Sequence, residues 1–310
     1  MQLIRHLTSA TPVSRAVAIG NFDGLHVGHQ SVIAAMGQAA QANGLIPSVL
    51  TFEPHPRLFF APTAPVFRLE TLPTKLRRLS TSGVEHVVMP RFNAGFASLS
   101  AEAFLDDVLK RTLSVRAVVV GDNFAFGKNR GGDVAMLRAW GAANSIEVVV
   151  VPPVMVDGAP CSSSAIRAAI GAGDMKTAAS LLGRPYQFTG RVMHGDGRGR
   201  TIGFATANLS LPQRLKLPSY GVYAVRATVH GTTHDAVANV GVRPTVANVA
   251  RPSLEVHLFD FNQTIYGASM QVQFIEKIRD EKKFHSLDAL TGQIADDCVN
   301  AKTILAHNPE

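Results

Sequence analysis

Along the first half of the chain, short apolar runs alternate with stretches of helical period. Val17-Ala18-Ile19-Gly20 reads as a short buried strand. Gly28 to Asn43 follows as a helix with Val32, Ile33 and Met36 on one face, and Gly44 stands where that helix should stop. Ser48-Val49-Leu50-Thr51-Phe52 is the next strand. Val115 to Val120 and Ile146 to Val151 are two more, dense in valine and separated by a helical stretch around Trp140. Strands alternating with helices at this spacing predict an α/β unit with a parallel, doubly wound sheet. A ligand of such a sheet belongs at the carboxyl ends of its strands.

The second half changes period. After a helical stretch from Ser164 to Leu182, short alternating segments with frequent glycine take over: Phe188 to Met193, Gly221 to Val229, Ala236 to Val240, Leu254 to Phe259 and Met270 to Ile275. That spacing predicts an antiparallel barrel. A helix from about Leu287 to Leu305 would close it. The change falls near Gly183-Arg184-Pro185, which sets the expected domains at 1–185 and 186–310. No internal repeat or low-complexity tract is visible.

Composition narrows the class without choosing a function. A chain of 310 residues, 46% hydrophobic and 17% charged, has the apolar mass for two cores. Cys161 and Cys298 lie far apart, in no metal-ligand spacing, which suits a reducing compartment and excludes a disulfide framework. The first residues, MQLIRHLTSATPVSR, lack the apolar stretch of a signal peptide, and no run approaches the roughly 18 apolar residues that span a bilayer. A soluble cytoplasmic protein with no membrane partner is expected. The net charge of +7 is scattered, and its densest cluster is only Lys75-Leu76-Arg77-Arg78. Nucleic-acid binders concentrate charge along one face, because counterion release rewards adjacent phosphate contacts. A mildly cationic enzyme for phosphorylated anions fits at least as well, so the charge alone decides nothing; no nucleic-acid partner is expected.

The most informative segment is Gly20-Asn21-Phe22-Asp23-Gly24-Leu25-His26-Val27-Gly28-His29, where the first strand gives way to the first helix. Glycines let backbone approach a phosphate chain, and a helix N-terminus offers free N–H groups and a positive dipole end. His26 and His29, three apart, can reach the same phosphates. Donors there would stabilise charge as pyrophosphate leaves an attacked α-phosphorus. A bare His-x-x-His pair would more simply cap a helix or bind a stray metal; the flanking glycines and the strand–turn–helix context favour the phosphate reading. The segment resembles the signature of histidine-x-glycine-histidine nucleotidylyl transferases, in the form typical of bacterial FAD synthetases. The match continues through Thr51-Phe52-Glu53-Pro54-His55-Pro56, Gly121-Asp122-Asn123-Phe124-Ala125-Phe126-Gly127 and Ser162-Ser163-Ser164-Ala165-Ile166-Arg167. The resemblance implies a Rossmann-like fold and assigns His26 and His29 to catalysis on ATP phosphates. It places Gly20, Phe22, Gly24 and Gly28 around the nucleotide, Asn123 in the nucleotide or flavin pocket, and Ser164 and Arg167 against the phosphates. Asp23 is assigned to the same loop, either to orient it or to assist a metal.

The second half opens with Gly190-Arg191-Val192-Met193-His194-Gly195-Asp196-Gly197-Arg198-Gly199-Arg200, a glycine-rich loop able to fold over a nucleotide, although many such loops are only turns. Thr206-Ala207-Asn208 follows. In a strand its hydroxyl and amide face the same way, and both are reasonable hard ligands for Mg²⁺ beside phosphate. Glu255 is a carboxylate in an otherwise apolar strand, Leu254 to Leu258, where a charge alone reads equally well as the solvent-facing side. These segments resemble riboflavin kinase, together with Ser219-Tyr220-Gly221-Val222-Tyr223, Ala238 to Thr245, Leu254 to Phe261 with Tyr266-Gly267, and Ile278 to Phe284. The resemblance implies that Thr206 and Asn208 hold Mg²⁺ and ATP phosphate. It makes Glu255 the base for the riboflavin 5′-hydroxyl, sets Gly195, Gly199 and Arg200 against the nucleotide, and assigns Asn239 and Arg279 to the flavin. One departure is Ala205, where the family's element reads proline; the rigidity proline gives the backbone before Thr206 is absent.

Across both halves the chain resembles the prokaryotic bifunctional riboflavin kinase/FAD synthetases, with riboflavin, FMN and ATP as partners, Mg²⁺ as cofactor, and room for self-association. A different adenylyltransferase, acting on nicotinate mononucleotide or pantetheine phosphate, would lack the kinase-like half. A nucleic-acid or regulatory binding protein on these folds would not need Glu255, Thr206, Asn208, His26 and His29.

Overall fold

The valine-rich segments of the first half run Val118-Val119-Val120 and Val148-Val149-Val150-Val151 with no polar alternation, and a strand of that kind is stable where both faces are covered. The computed structural model describes residues 1–63, 67–195, 203–212, 214–243 and 251–309. It divides into two compact units, Met1–Pro65 with Leu72–Ser162, and Val66–Thr71 with Ser163–Glu310.

In the first unit, β1 (Gln2–Ile4), β2 (Arg15–Ile19), β3 (Ile46–Leu50), β4 (His86–Val88), β5 (Val115–Gly121) and β6 (Glu147–Val151) form a parallel sheet in the order β1-β4-β3-β2-β5-β6. Helix α1 (Val27–Asn43) links β2 to β3, and α2 (Pro56–Phe60) and α3 (Leu72–Ser80) precede β4. Short α4 (Ala94–Ala97) and α5 (Ala101–Ala103) run into a π-helical segment, Phe104–Thr112, before β5, and α6 (Val134–Asn144) leads to β6. A small hairpin, β7 (Met155–Val156) with β8 (Ala159–Pro160), follows.

Alternate residues of one strand serve opposite layers. Val17, Ile19, Val118 and Val120 pack with Leu105 and Leu109 of the π-helical segment. Ala16, Ala18, Ala117 and Val119 pack with Ile33, Met36 and Ala40 of α1. Each large aliphatic chain so buried contributes about 1.5–3 kcal/mol. Strand order reverses at β2, whose neighbours are β3 and β5. The segments leaving β2 and β5 therefore emerge side by side at the carboxyl edge, where such sheets bind ligands.

The second unit begins with a difference from the sequence reading. The single helical stretch expected over 164–182 is two helices, α7 (Ser163–Ala172) and α8 (Met175–Leu182). Gly173 stands between them at φ +83, a left-handed conformation that ends a helix, and the Asp174 side chain accepts from Thr177 N–H to start the next. Six strands then close a barrel in the order β10-β13-β12-β11-β14-β9, each pair antiparallel. They are β9 (Tyr186–Met193), β10 (Ala207–Leu209), β11 (Gly221–Val229), β12 (Thr232–Arg243), β13 (Arg251–Leu258) and β14 (Ser269–Arg279). Tyr186, Phe188 and Tyr223 meet Phe274 ring to ring. Helix α9 (Leu287–His307), capped by Ser286, lays Ala301 and Leu305 on Val222, Ala224 and Val237.

Two candidate active sites

The Gly20–His29 segment leaves β2 through an unusual backbone. Phe22 and Leu25 sit at φ 46 and 41, and Gly24 at φ 84. Such conformations cost energy for non-glycine residues and persist only where the surroundings impose them. Here the Phe22 ring folds back beneath Gly20, where a Cβ would fall 3.2 Å from it. Phe22 and Asp23 are both buried to within 1%. The loop ends at His26, the N-cap of α1, whose Nδ1 accepts from His29 N–H at 3.3 Å. A ring nitrogen that accepts leaves Nε2 of the neutral imidazole to carry the proton. The His26 and His29 rings stack with centroids 3.6 Å apart, and Phe22 meets His29 edge-on at 5.2 Å. Gly28 leaves room beside the His26 ring, since a Cβ there would lie 3.2 Å from Cε1. Asn123 lies exposed just past β5, the strand beside β2.

Two further groups hold this loop. Lys75, on α3, is 1% exposed, and its ammonium donates to Asn21 O at 2.5 Å and Thr51 Oγ1 at 3.1 Å. Thr51 Oγ1 in turn donates to Asn21 O at 3.2 Å. Cys161 Sγ lies 3.5 Å from His26 Nδ1. Burial pushes its thiol up from the usual range, while the N–H groups of Gly28 and Val27, aimed at the sulfur, act in the opposite direction. In the second unit, Ser164 is exposed on α7, and Arg167 Nε donates to Phe67 O at 2.6 Å with its guanidinium over the Phe67 ring.

The barrel gathers residues that lie far apart in sequence. Asn208 pairs across to Glu255, Glu255 to Asn239, Asn239 to Val222 and Val222 to Arg279. Residues directly opposite in adjacent strands point to the same face, with Cβ atoms about 4.5–5.5 Å apart. Asn208, Glu255, Asn239 and Arg279 therefore form one row across β10, β13, β12, β11 and β14. Val222, within the row, packs beneath α9, so the row faces outward from the barrel. Gly195 covers its Asn208 end so tightly that a Cβ would fall 2.0 Å from Asn208 Nδ2. Near the other end, Glu281 Oε1 reaches Gly241 beside the Asn239 amide. Thr206 stands one residue before β10 rather than within it. Arg279 is tied to α9: its Nε and Nη2 donate to the Asp297 carboxylate at 2.9 and 2.6 Å. Gly199 and Arg200 lie outside the described residues.

Comparison with known proteins decides between the readings. A family model described as FAD synthetase matches residues 8–165, and one described as riboflavin kinase matches residues 182–305. The bifunctional riboflavin kinase/FMN adenylyltransferase of Haemophilus influenzae is 42% identical over 97% of this chain and 98% of its own. That of Escherichia coli K12 is 40% identical over 97% of each. The chain belongs to the bifunctional riboflavin kinase/FMN adenylyltransferase family.

A crystal structure described as a macrolide-efflux protein from Streptococcus pneumoniae superposes on this member of the family with a TM-score of 0.89, at 34% identity over 97% of this chain and 98% of that one. Among the described residues here, no helix is long and apolar enough to cross a membrane.

Sequence reasoning about this family member gave no role to Lys75, Cys161, His257 or Glu281. For Lys75 a signal was present. Leu72, Lys75, Leu76 and Leu79 share the i, i+3, i+4, i+7 stripe of a helix, and a lysine on a buried stripe is worth asking about. For His257 there was none, because its place is set by strand register, and none for Glu281, which lies just past the end of β14.

Proposed function

We propose that this chain phosphorylates riboflavin to FMN in its barrel and adenylylates FMN to FAD at the head of α1, with ATP as the co-substrate of both steps. The observation that carries the reading is the row Asn208–Glu255–Asn239, which sets a carboxylate between two amides on one outer face. In that row Glu255 takes the proton from the riboflavin 5′-hydroxyl as the oxygen attacks the γ-phosphorus in line, and ADP leaves. Phosphoryl transfer asks for little beyond such positioning and charge stabilisation.

The donors at hand suit Mg²⁺ delivered on ATP. Thr206 and Asn208 offer two neutral oxygens beside one carboxylate, and among the described residues no group of three or more His, Cys, Asp or Glu could hold a metal ion. Magnesium keeps waters and substrate phosphates as most of its ligands, so a sparse oxygen site fits it. At the other site, the FMN phosphate attacks the α-phosphorus of ATP and pyrophosphate departs. His26 and His29, stacked at a helix N-terminus, donate to the phosphates as charge builds. Gly20, Phe22, Asp23, Gly24 and Gly28 shape the loop around the nucleotide. The roles of Asn123, Ser164, Arg167 and Arg279 are carried by the resemblance alone.

Chromatography of the purified protein with riboflavin and Mg·ATP should show FMN and then FAD; absence of both products would end the reading. Cytoplasmic location and self-association belong to the same proposal, checked by cell fractionation and by sedimentation.

A further inference from the structure

We propose that His257 is a positioning residue for riboflavin phosphorylation, holding the backbone at Ala205 and, through it, the Thr206 hydroxyl. The inference rests on the reading of Thr206 as a ligand of Mg·ATP. The β10–β13 ladder pairs Leu209 with Leu254, Asn208 with Glu255 and Ala207 with Val256, and there it ends. One further step would set Thr206 opposite His257. Thr206 thus lies just past the last backbone pair, with its chain arriving from Gly203, a turn residue at φ +86.

His257 extends the pairing by its side chain. Nδ1 lies 2.8 Å from Ala205 O. A carbonyl oxygen only accepts, so Nδ1 carries the hydrogen. The ring is fixed by its own strand, where His257 pairs with Val237 of β12, and by edge-on contacts with Phe204 at 5.5 Å and Phe259 at 5.9 Å. His257 also stands two residues from Glu255, and alternate strand residues share a face. One strand thereby presents the base and fixes the segment that carries a phosphate ligand. An exposed neutral hydrogen bond adds little to stability, so its value here is geometric. Catalytic groups displaced by 1 Å can lose about 10²-fold in rate.

Three substitutions separate this role from plain packing. In His257→Asn the amide nitrogen occupies the place of Nδ1 and can still donate. His257→Gln places its nitrogen where Nε2 was. His257→Phe keeps the ring and loses the donor. If His257 positions Thr206, the asparagine variant phosphorylates riboflavin within about twofold of the parent. The glutamine and phenylalanine variants raise KM for Mg·ATP by roughly three- to tenfold, the reach of one hydrogen bond. In the protein without nucleotide, amide exchange over 204–207 quickens in the glutamine and phenylalanine variants only. Adenylylation of supplied FMN stays unchanged in all three. The opposite ranking, phenylalanine intact and asparagine impaired, would make the ring a packing element and overturn the proposal, as would a flat series or an equal loss of both activities. Thr206→Val tells the two levels apart. If it phosphorylates normally, the reading of Thr206 falls; if it is crippled while the His257 series is flat, only the positioning role falls.

Discussion

The two sites are built in opposite ways. The site proposed for adenylylation centres on one continuous segment, Gly20 to His29, at the switch point of a parallel sheet. Its loop is held from beneath by buried groups, the Lys75 ammonium and the Phe22 ring. The site proposed for phosphorylation draws Asn208, Glu255, Asn239 and Arg279 from four strands, aligned by register on the outside of a barrel, and an exposed hydrogen bond from His257 reaches Ala205 beside Thr206. A parallel sheet makes sites where loops leave it, so local sequence carries them. An antiparallel barrel makes sites across strands, so pairing carries them.

The sharpest way to break this comparison is to disable each site alone. Glu255→Gln keeps size and most hydrogen bonding but cannot accept the proton. Riboflavin phosphorylation should fall by roughly 10²–10⁴ while adenylylation of supplied FMN persists. Replacing His26 and His29 together by alanine should do the reverse, with FAD formation falling by about 10²–10³ and phosphorylation persisting. Both half-reactions are measured on each preparation. If either variant loses both activities equally, the two sites are not independent and their assignment fails.

That contrast also explains what the sequence could and could not disclose. The helix over Val27–Asn43 and its stop at Gly44 were legible because period and cap lie within one segment. The strands Gln2–Ile4 and His86–Val88 were not, since three residues carry no period. The motif blocks named Glu255, Asn208, Asn239 and Arg279, yet nothing local said that they share a row. Nor did local pattern say that the Arg279 guanidinium reaches back to Asp297 on the terminal helix. Thr206 was expected within a strand and stands just before one, because the ladder ends at Ala207.

A smaller effect sharpens the account of how the first site is held. Lys75→Met keeps the aliphatic length and removes the donor to Asn21 O and Thr51 Oγ1. Losing a buried partner of this kind costs about 1–3 kcal/mol. The strained turn at Phe22 and Leu25 should relax, raising KM for ATP in adenylylation by about tenfold and lowering the unfolding temperature. Phosphorylation should hold. An unchanged KM for ATP would mean that the loop keeps its shape without the ammonium.

The smallest expected effect concerns Ala205, two residues before β10. Among the described residues, no hydrogen bond uses the Ala205 N–H, so Ala205→Pro breaks none of theirs, and the carbonyl that accepts from His257 remains. A proline whose geometry the site accepts stabilises by about 0.4–1 kcal/mol, chiefly by restricting the unfolded chain. The substitution should therefore raise the unfolding temperature slightly and leave phosphorylation equal or up to about threefold faster, within the reach of such an energy. Adenylylation should not change. Proline also restricts the residue before it, here Phe204, to extended conformations. Phe204 meets the His257 ring edge-on, so a shift of its backbone would disturb the same hydrogen bond. Loss of phosphorylation in Ala205→Pro, with adenylylation intact, would therefore show that the chain enters β10 by a path proline cannot follow. It would also show that His257 holds a geometry different from the one that proline would impose.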